Sequence, residues 1–395
     1  MYNFLNMSKE EFLKLAQTSS FFSNTSGSYL KNGTNNLVKT WGFTEEECVD
    51  LYKRNPDAMM HSCNWLISRA NDTMKKLNIK DIEDFKALVK ANPALLTFDN
   101  LEDSIRDIAE FLDTKEDNQP YLATMKLSHI KKNFYAMKDY VKVDRNKMVE
   151  IAVMAPITLA IPFDMSKKKY EGISRTIGVL PETFYNKANA LPALYRVSMQ
   201  KLEKFIDFVS KTLGYTREDA ADYIGRNINI LSYNYKNIVD RTQKNYERLN
   251  QELNVDYDTY LYMLEENAWI MGQKPDDISK NIKDVKEYFN VDKKTQARMF
   301  EDNPQLITYY KENFDRDITD ASNYFKIDKE EYKQMCVIEP LLATRPIKHH
   351  KNDFSENAKI MGMSEKEFIE LGKKHPEILA YDSEQIAELK EKGIK

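Results

Sequence analysis

The sequence has few of the residues that interrupt helices. Only 11 of its 395 residues are glycine and 12 are proline, about 3% each against roughly 7% and 5% in average proteins. This scarcity excludes a collagen-like chain, a Pro/Gly-rich linker protein and a turn-rich β-sandwich. Because 42% of the residues are hydrophobic, the chain can form a sizeable core, and we expect an all-α protein.

Cysteine and long apolar stretches are also scarce. The three cysteines, Cys48, Cys63 and Cys336, form no CxxC pair, which excludes a disulfide framework and favours a reducing compartment. The longest apolar-rich run, residues 151–163, contains two prolines and is shorter than the ~20 residues of a membrane span. The N-terminal segment resembles neither a secretory signal nor an organelle presequence. We therefore expect a cytoplasmic protein without membrane association; an organelle matrix is the alternative if the chain is a processed form.

An overall excess of positive charge is absent. The chain has 58 Lys and Arg residues against 62 Asp and Glu residues, a formal net charge of −4. A polyanionic partner would therefore have to be held by a local stripe of cations rather than by the field of the whole protein.

Motifs for catalysis and for metal binding are absent as well. The sequence contains no phosphate-binding glycine loop, no GxSxG and no HExxH. The five histidines are scattered, and the pair His349-His350 is adjacent in sequence rather than at the i,i+4 spacing of helical metal ligands. We predict a non-enzymatic protein with no catalytic residue, metal or cofactor.

What the sequence does contain is an internal repeat. Pro304, Pro340 and Pro376 are 36 residues apart, and similar phrases such as NPQLIT and EPLLAT surround them. We call this position the corner slot, and its eleven copies are Ser19, Pro56, Pro93, Pro120, Pro156, Pro192, Ile228, Ala268, Pro304, Pro340 and Pro376. The spacing is 36 or 37 residues except for a 27-residue step after Pro93 and a 40-residue step after Ile228.

Each copy predicts a pair of helices. Proline at the slot ends a leading helix because it lacks an N–H donor and restricts the residue before it. A second helix begins six or seven residues later, where Pro162, Pro275 and Pro346 are tolerated in the first turn. The 27-residue step has room for one helix, and the 40-residue step adds about one helical turn within residues 241–254.

The ends of the leading helices are marked in the sequence. Twelve residues before the slot, most copies carry a residue that favours the helix N-cap: Thr44, Asp144, Thr216, Asp256, Asp292, Asp328 and Ser364. An acid three residues later predicts capping boxes at Thr44/Glu47, Asp328/Glu331 and Ser364/Glu367. Two residues before the caps, glycines predict left-handed turns at Gly42, Gly178, Gly214 and Gly362.

A lone helical pair cannot bury its apolar side, whereas stacked pairs share a core. We therefore predict an α-solenoid of about eleven ~36-residue helical pairs. In this prediction residues 1–395 form one continuous superhelix, with residues 1–37 as a degenerate N-terminal capping repeat and residues 361–395 as the C-terminal one. We expect a monomer.

Three segments carry a family resemblance. They are LGYTREDAADYIGRNINILSYNYKNI (213–238), TWGFTEEECVDLYKRNPDAMM (40–60) and IMGMSEKEFIELGKKHPEILA (360–380). The pattern resembles the repeat of the mitochondrial transcription termination factor (mTERF) family. The resemblance implies a curved superhelix that holds nucleic acid, often duplex DNA, in a positively charged groove, and a role in transcription or gene expression.

Cations recur at one place in the second helices. Twelve or thirteen residues after the slot, nine of the eleven copies have Lys or Arg, whereas a content of 58 in 395 would give about a quarter of the copies. With Lys351, one residue early in its copy, the candidate nucleic-acid-binding residues are Lys31, Arg69, Arg106, Lys132, Lys168, Lys204, Arg241, Lys280, Arg316 and Lys351. We call this set the basic stripe. A row of such cations suits backbone phosphates, and a merely solvated helix face is the alternative reading.

The leading hypothesis is a protein that holds nucleic acid along this stripe, with double-stranded DNA favoured over RNA. The alternative is a protein-interaction scaffold that grips an extended or acidic partner. Tyrosines just after the corners, such as Tyr233, Tyr235, Tyr309 and Tyr310, could either stack on bases or pack between repeats.

Overall fold

The computed structural model describes residues 5–18, 28, 31–32, 34–35, 38, 42–55, 58, 61–76, 79, 82–98, 100–115 and 122–392. These residues form helices and short connections, with no strand among them. None of the helices found in these ranges is long and apolar enough to cross a membrane. The prediction of an all-α helical repeat fold is confirmed, whereas its winding into a solenoid stays a prediction.

The helices alternate as the repeat predicts, after an initial helix Lys9–Thr18. The leading helices are Glu45–Arg54, Ile82–Ala91, Arg145–Met154, Pro181–Ala190, Arg217–Arg226, Tyr257–Glu266, Lys293–Asp302, Lys329–Ile338 and Glu365–Lys374. The second helices are Cys63–Lys76, Leu101–Leu112, Leu127–Tyr140, Phe163–Thr176, Met199–Leu213, Tyr235–Leu253, Pro275–Phe289, Lys311–Phe325, Ile347–Met361 and Ser383–Glu391.

Each described corner is itself a short turn of helix. The 3-10 corners are Pro93–Leu96, Pro192–Arg196, Ile228–Ser232, Ala268–Gly272, Pro304–Ile307 and Pro340–Thr344, and the α-helical corners are Ile157–Ala160 and Glu377–Ala380. The apolar residue three places after the slot is buried in each of them, as Leu96 and Leu231 illustrate. The corner therefore anchors both flanking helices to the core. The slots Ser19, Pro56 and Pro120 lie outside the described residues.

The predicted N-caps are confirmed. All seven side chains accept a hydrogen bond from a backbone N–H of the first helical turn. Complete capping boxes form at Thr44/Glu47 and Ser364/Glu367. The box predicted at Asp328/Glu331 was wrong, because Asp328 already accepts from the N–H groups of both Glu330 and Glu331 and only that half of the box is present. A box that we did not predict joins Asp382 and Gln385.

The left-handed turns between repeats are also confirmed. Gly42, Gly178, Gly214 and Gly362 have φ between 64° and 71°. In the repeats without glycine, the same position also has positive φ, at Lys142, Asn254, Asn290 and Lys326. The turn geometry is thus a property of the repeat, and it is imposed even on lysine, where it is strained.

Both irregular steps have the expected structure. The described residues between Pro93 and Pro120 contain one helix after the corner, Leu101–Leu112. The second helix Tyr235–Leu253 has 19 residues, against 15 in Met199–Leu213. A missing helix and an added turn account for the two spacings.

Asparagines join neighbouring corners. Asn303, just before its slot, donates from Nδ2 to the carbonyl of Pro340 at 2.8 Å and to the hydroxyl of Thr344 at 2.9 Å. Asn267 makes the same pair of bonds to Pro304 at 3.1 Å and Thr308 at 3.0 Å. Equivalent positions of consecutive corners are therefore held side by side, one repeat apart.

The described residues fall into two compact units. Unit 1 lies within Met1–Gly172 and Leu180–Arg196, and unit 2 lies within Ile173–Val179 and Val197–Lys395. Each has its own buried core, with Leu51, Leu66 and Phe85 in unit 1 and Phe289 and Phe314 in unit 2. A single superhelix over residues 1–395 stays a prediction. Almost half of the predicted N-terminal capping repeat, residues 1–37, lies outside the described residues.

Candidate nucleic-acid interface

The structure divides the basic stripe into two groups. Most of its members are exposed, namely Lys31, Arg106, Lys132, Lys168, Lys204, Lys280, Arg316 and Lys351. Arg69 and Arg241 are only partly exposed, since both side chains turn towards the next corner. The contrast follows position: Arg69 and Arg241 stand thirteen residues after the slot, whereas most exposed members stand twelve after it.

Two of the three stripe cations at position thirteen, Arg69 and Arg241, bind backbone carbonyls, whereas the third, Arg106, is exposed. Arg241 Nη1 donates to the carbonyl of Gly272, in the next corner, at 2.7 Å. Arg69 Nη2 donates to the carbonyl of Phe98, just after the next corner, and only 18% of the Arg69 side chain is exposed. Carbonyls at the end of a short helix lack an intrahelical N–H partner, so a cationic donor there stabilises the corner.

Lys169 belongs to the same group. Its ammonium donates to the carbonyl of Tyr195 at 3.1 Å and lies 4.5 Å from the ring centroid of Tyr170. Burial lowers the pKa of Lys169 to about 8. Its sequence neighbour Lys168 is exposed, so one residue separates a structural cation from a free surface cation.

The prediction from the sequence combined these two groups, although the residue types at position thirteen already indicated a difference. Position thirteen also holds Asn133 and Asn281, which donate to corner carbonyls in the same way. Asn133 Nδ2 lies 2.8 Å from the carbonyl of Leu159, and Asn281 Nδ2 lies 2.8 Å from that of Ile307. In these copies the side chains at position thirteen share hydrogen-bond donation rather than charge. Other copies have different residues there, namely Phe205, Asp317 and Asp353.

Some exposed cations have partners within the chain. Arg106 pairs with Asp103 at 2.6 Å, and Arg316 Nε donates to Asp317 at 3.1 Å. Lys351 lies 5.8 Å from the ring centroid of Tyr324. Arg316 nevertheless keeps 60% of its side chain exposed, so a surface pair of this kind leaves it accessible and contributes little to stability.

Four exposed lysines stand apart. Within the part of the chain that the structure describes, no ion pair involves Lys132, Lys168, Lys204 or Lys280. Their helical neighbours at i−4 and i+4 differ, however. Ser128 and Ala136 flank Lys132, whereas aspartates flank Lys280 on both sides. The positive field along position twelve is therefore strongest where the neighbours are uncharged.

The tyrosines after the corners mostly pack. Tyr235 lies edge-on to Phe205 with ring centroids 5.6 Å apart, and the hydroxyl of Tyr309 donates to Asp317. Tyr233 lies edge-on to Trp269 at 6.0 Å. Tyr310 is the member of the four that stays exposed. Of this set, only Tyr310 presents the exposed ring that base stacking requires.

The described histidine and cysteine side chains are not grouped for metal binding. Cys336 and His350 are buried, and burial lowers the pKa of His350 to about 3. The hydroxyl of Tyr332 lies 3.4 Å from Nε2 of His350. Among the described residues, no group of three or more His, Cys, Asp or Glu side chains could hold a metal ion.

Comparison with known proteins adds no family assignment. The sequence matches no protein-family model and no curated protein. The resemblance to the mTERF repeat therefore rests on the motif and stays a prediction.

Proposed function

We propose that the protein binds the phosphate backbone of nucleic acid through the exposed cations at position twelve of its second helices. The observation that carries this proposal is their recurrence: the same helical position is cationic and exposed in Lys132 and Lys168 of unit 1 and in Lys204, Lys280 and Arg316 of unit 2. Hydrogen bonds to backbone carbonyls account for Arg69, Lys169 and Arg241 at position thirteen, but no contact of this kind accounts for the repeated exposed lysine at position twelve.

The spacing of the repeats supports a backbone ligand. Packed helices lie 8–10 Å apart, and the asparagine bonds hold consecutive corners side by side. Cations of neighbouring repeats, such as Lys132 and Lys168 in unit 1 or Lys280 and Arg316 in unit 2, would thus meet a polyanion one repeat apart, with contacts that are electrostatic and largely independent of sequence. The repeat between Lys204 and Lys280 has Asp240 at this position. Arg69 and Arg241 stabilise the neighbouring corners through hydrogen bonds to backbone carbonyls and so support this surface.

Duplex DNA is the proposed ligand, and the role in transcription or gene expression follows from the mTERF resemblance alone. The test is fluorescence anisotropy of a labelled 20-base-pair duplex and of single-stranded DNA and RNA of the same sequence. We expect the duplex to bind best and log K to fall linearly with log salt, with a slope of about −4 to −7 for roughly five to eight phosphate contacts. Tighter binding of RNA than of the DNA duplex would identify RNA as the ligand. No binding of any probe at about 50 mM salt would refute the proposal.

A further inference from the structure

A second surface of unit 2 combines acidic and large apolar side chains. It lies where the leading helices Tyr257–Glu266, Lys293–Asp302 and Lys329–Ile338 run into their corners. We call it the corner edge and define it by Glu266, Trp269, Glu301, Asp302, Ile338, Glu339 and Leu341. The asparagine bonds from Asn267 to Pro304 and from Asn303 to Pro340 place these three corners side by side, so the edge is one continuous surface.

The apolar part of the corner edge is unusually exposed. Trp269 and Leu341 each follow their slot by one residue, and they are 42% and 46% exposed. Ile338, two residues before its slot, is 58% exposed. Trp269 is two repeats away from Ile338 and Leu341, and the repeat between them contributes the acids Glu301 and Asp302. Single exposed apolar residues are common, but exposed apolar residues that flank an acidic repeat indicate an interaction surface.

The acidic side chains of the corner edge lie where the helix dipole disfavours negative charge. Glu266, Glu301 and Asp302 close their helices at the C-terminus, where the helix dipole favours cations, and neither helix has a basic residue in its last turn. Asp302 has Arg298 as a partner at 3.4 Å. Glu266 and Glu301 make no ion pair within the described ranges. Burial and the nearby Asp302 and Glu377 raise the pKa of Glu339, which shows that the carboxylates crowd one another.

The same edge differs in unit 1. There the leading helix Glu45–Arg54 ends in Lys53 and Arg54, and Ile82–Ala91 has Lys90 in its last turn. The repeat itself therefore does not require acids at this place. The acidic, apolar edge is a property of three repeats of unit 2, and of Glu266, Glu301 and Asp302 only Asp302 has an ion-pair partner in the described residues.

We propose that the corner edge of unit 2 binds a basic amphipathic helix of a protein partner. Its Lys or Arg side chains pair with Glu266, Glu301 and Asp302, and its apolar side chains cover Trp269, Ile338 and Leu341. Two repeat steps of 8–10 Å span roughly 20 Å, the length of a helix of about 13 residues at a 1.5 Å rise. Nucleic acid is excluded from this edge by its negative charge, so the edge and the basic stripe serve different partners.

The test uses three 14-residue peptides and calorimetry, with tryptophan fluorescence as a second readout. Because Trp41 and Trp65 also fluoresce, only a change that is lost in Trp269→Ala is assigned to the edge. One peptide is an amphipathic Lys/Leu helix, the second replaces Lys with Glu, and the third replaces Leu with Ser. We expect saturable binding of the Lys/Leu peptide alone. Binding of either control peptide with equal affinity, or no binding of the Lys/Leu peptide, would overturn the proposal.

Substitutions in the corner edge test whether the peptide binds there. The double change Glu266→Lys/Asp302→Lys should weaken binding at least tenfold, because two attractive pairs become repulsive. Trp269→Ala should weaken it about 30-fold, as loss of a central aromatic anchor does. The matched control Glu388→Lys/Glu391→Lys changes the net charge equally, at exposed acids of the last helix, and should have less than a threefold effect. Equal effects of the two double variants would show that net charge alone attracts the peptide and would overturn the assignment.

Discussion

Two faces of the second helices differ although they are one residue apart in sequence. Lys168 is exposed, whereas Lys169 is largely buried and donates to the carbonyl of Tyr195. Lys204 is exposed, whereas Arg241 in the following repeat donates to the carbonyl of Gly272. A count of the cations twelve or thirteen residues after the slot therefore combines two kinds of residue. One kind binds backbone carbonyls within the fold, and the other faces the solvent.

The physical reason for the inward group lies in the corner. A short 3-10 turn leaves carbonyls without N–H partners at its end, and leaving such a buried acceptor unpaired costs about 1–3 kcal/mol. A long cationic or amide side chain from the preceding second helix reaches these carbonyls, as Arg241 and Asn133 do. The fold thus explains the donors at position thirteen, whereas it does not explain the exposed lysines at position twelve.

The largest expected effect concerns the outward face. Neutralising two cations of one unit, as Lys204→Gln/Lys280→Gln in unit 2 or Lys132→Gln/Lys168→Gln in unit 1, should weaken binding of duplex DNA about 30-fold at 50 mM salt. The slope of log K against log salt should become shallower by about 1.8, at ~0.9 per phosphate contact. Anisotropy titrations measure both quantities.

The matched control for these variants is Lys366→Gln/Lys374→Gln, which removes the same charge from exposed lysines of the leading helix Glu365–Lys374. It should change the affinity less than threefold. If the control weakens binding as much as the position-twelve pairs, net charge and not the stripe governs the affinity.

The next effect concerns the inward face. Arg241→Met should lower the free energy of unfolding by about 2 kcal/mol, because the carbonyl of Gly272 loses a charged donor. Lys204→Met should change it by less than about 0.5 kcal/mol, as exposed substitutions do. Urea denaturation at pH 7 measures both. A large loss in Lys204→Met, or none in Arg241→Met, would break the distinction between the two faces.

The smallest effect is a pH dependence at Lys169. Burial lowers its pKa in the folded protein to about 8 from the ordinary 10.5, so between these pH values the unfolded chain binds a proton that the folded protein has lost. Stability from this group therefore rises as the pH increases from about 8 towards 10.5. We expect the wild type to gain stability relative to Lys169→Met between pH 7.5 and 9.5 in paired urea titrations. If the free energies of unfolding of the two proteins change in parallel with pH, the ammonium of Lys169 is not buried.

Local features of the fold could be predicted from the sequence because they depend on a few neighbouring residues. The cap at Thr44 and the left-handed turn at Gly214 are such features, and both are present. The sequence also located the extra turn near residue 250, since a change in the repeat length has to appear somewhere in a helix.

What could not be predicted depends on contacts between repeats. The role of Asn303 requires the position of the next corner, and the inward direction of Arg69 requires the carbonyl of Phe98. The acidic corner edge was not predicted for the same reason. Glu266, Asp302 and Ile338 are separated by 36 residues each in the sequence, and they come near one another only when the corners lie side by side. The sequence therefore located the exposed cations, while their separation from the inward group required the structure. That these cations bind nucleic acid stays a prediction.

Lysine footprinting compares the two faces of the second helices in the unmodified protein. The protein is acetylated briefly with and without a saturating 20-base-pair duplex, and mass spectrometry reads the reactivity of each lysine. The account predicts that DNA protects Lys132, Lys168, Lys204 and Lys280 and leaves Lys169, Lys366 and Lys374 unchanged. Protection of Lys366 and Lys374 instead, or no protection of the four position-twelve lysines, would contradict it.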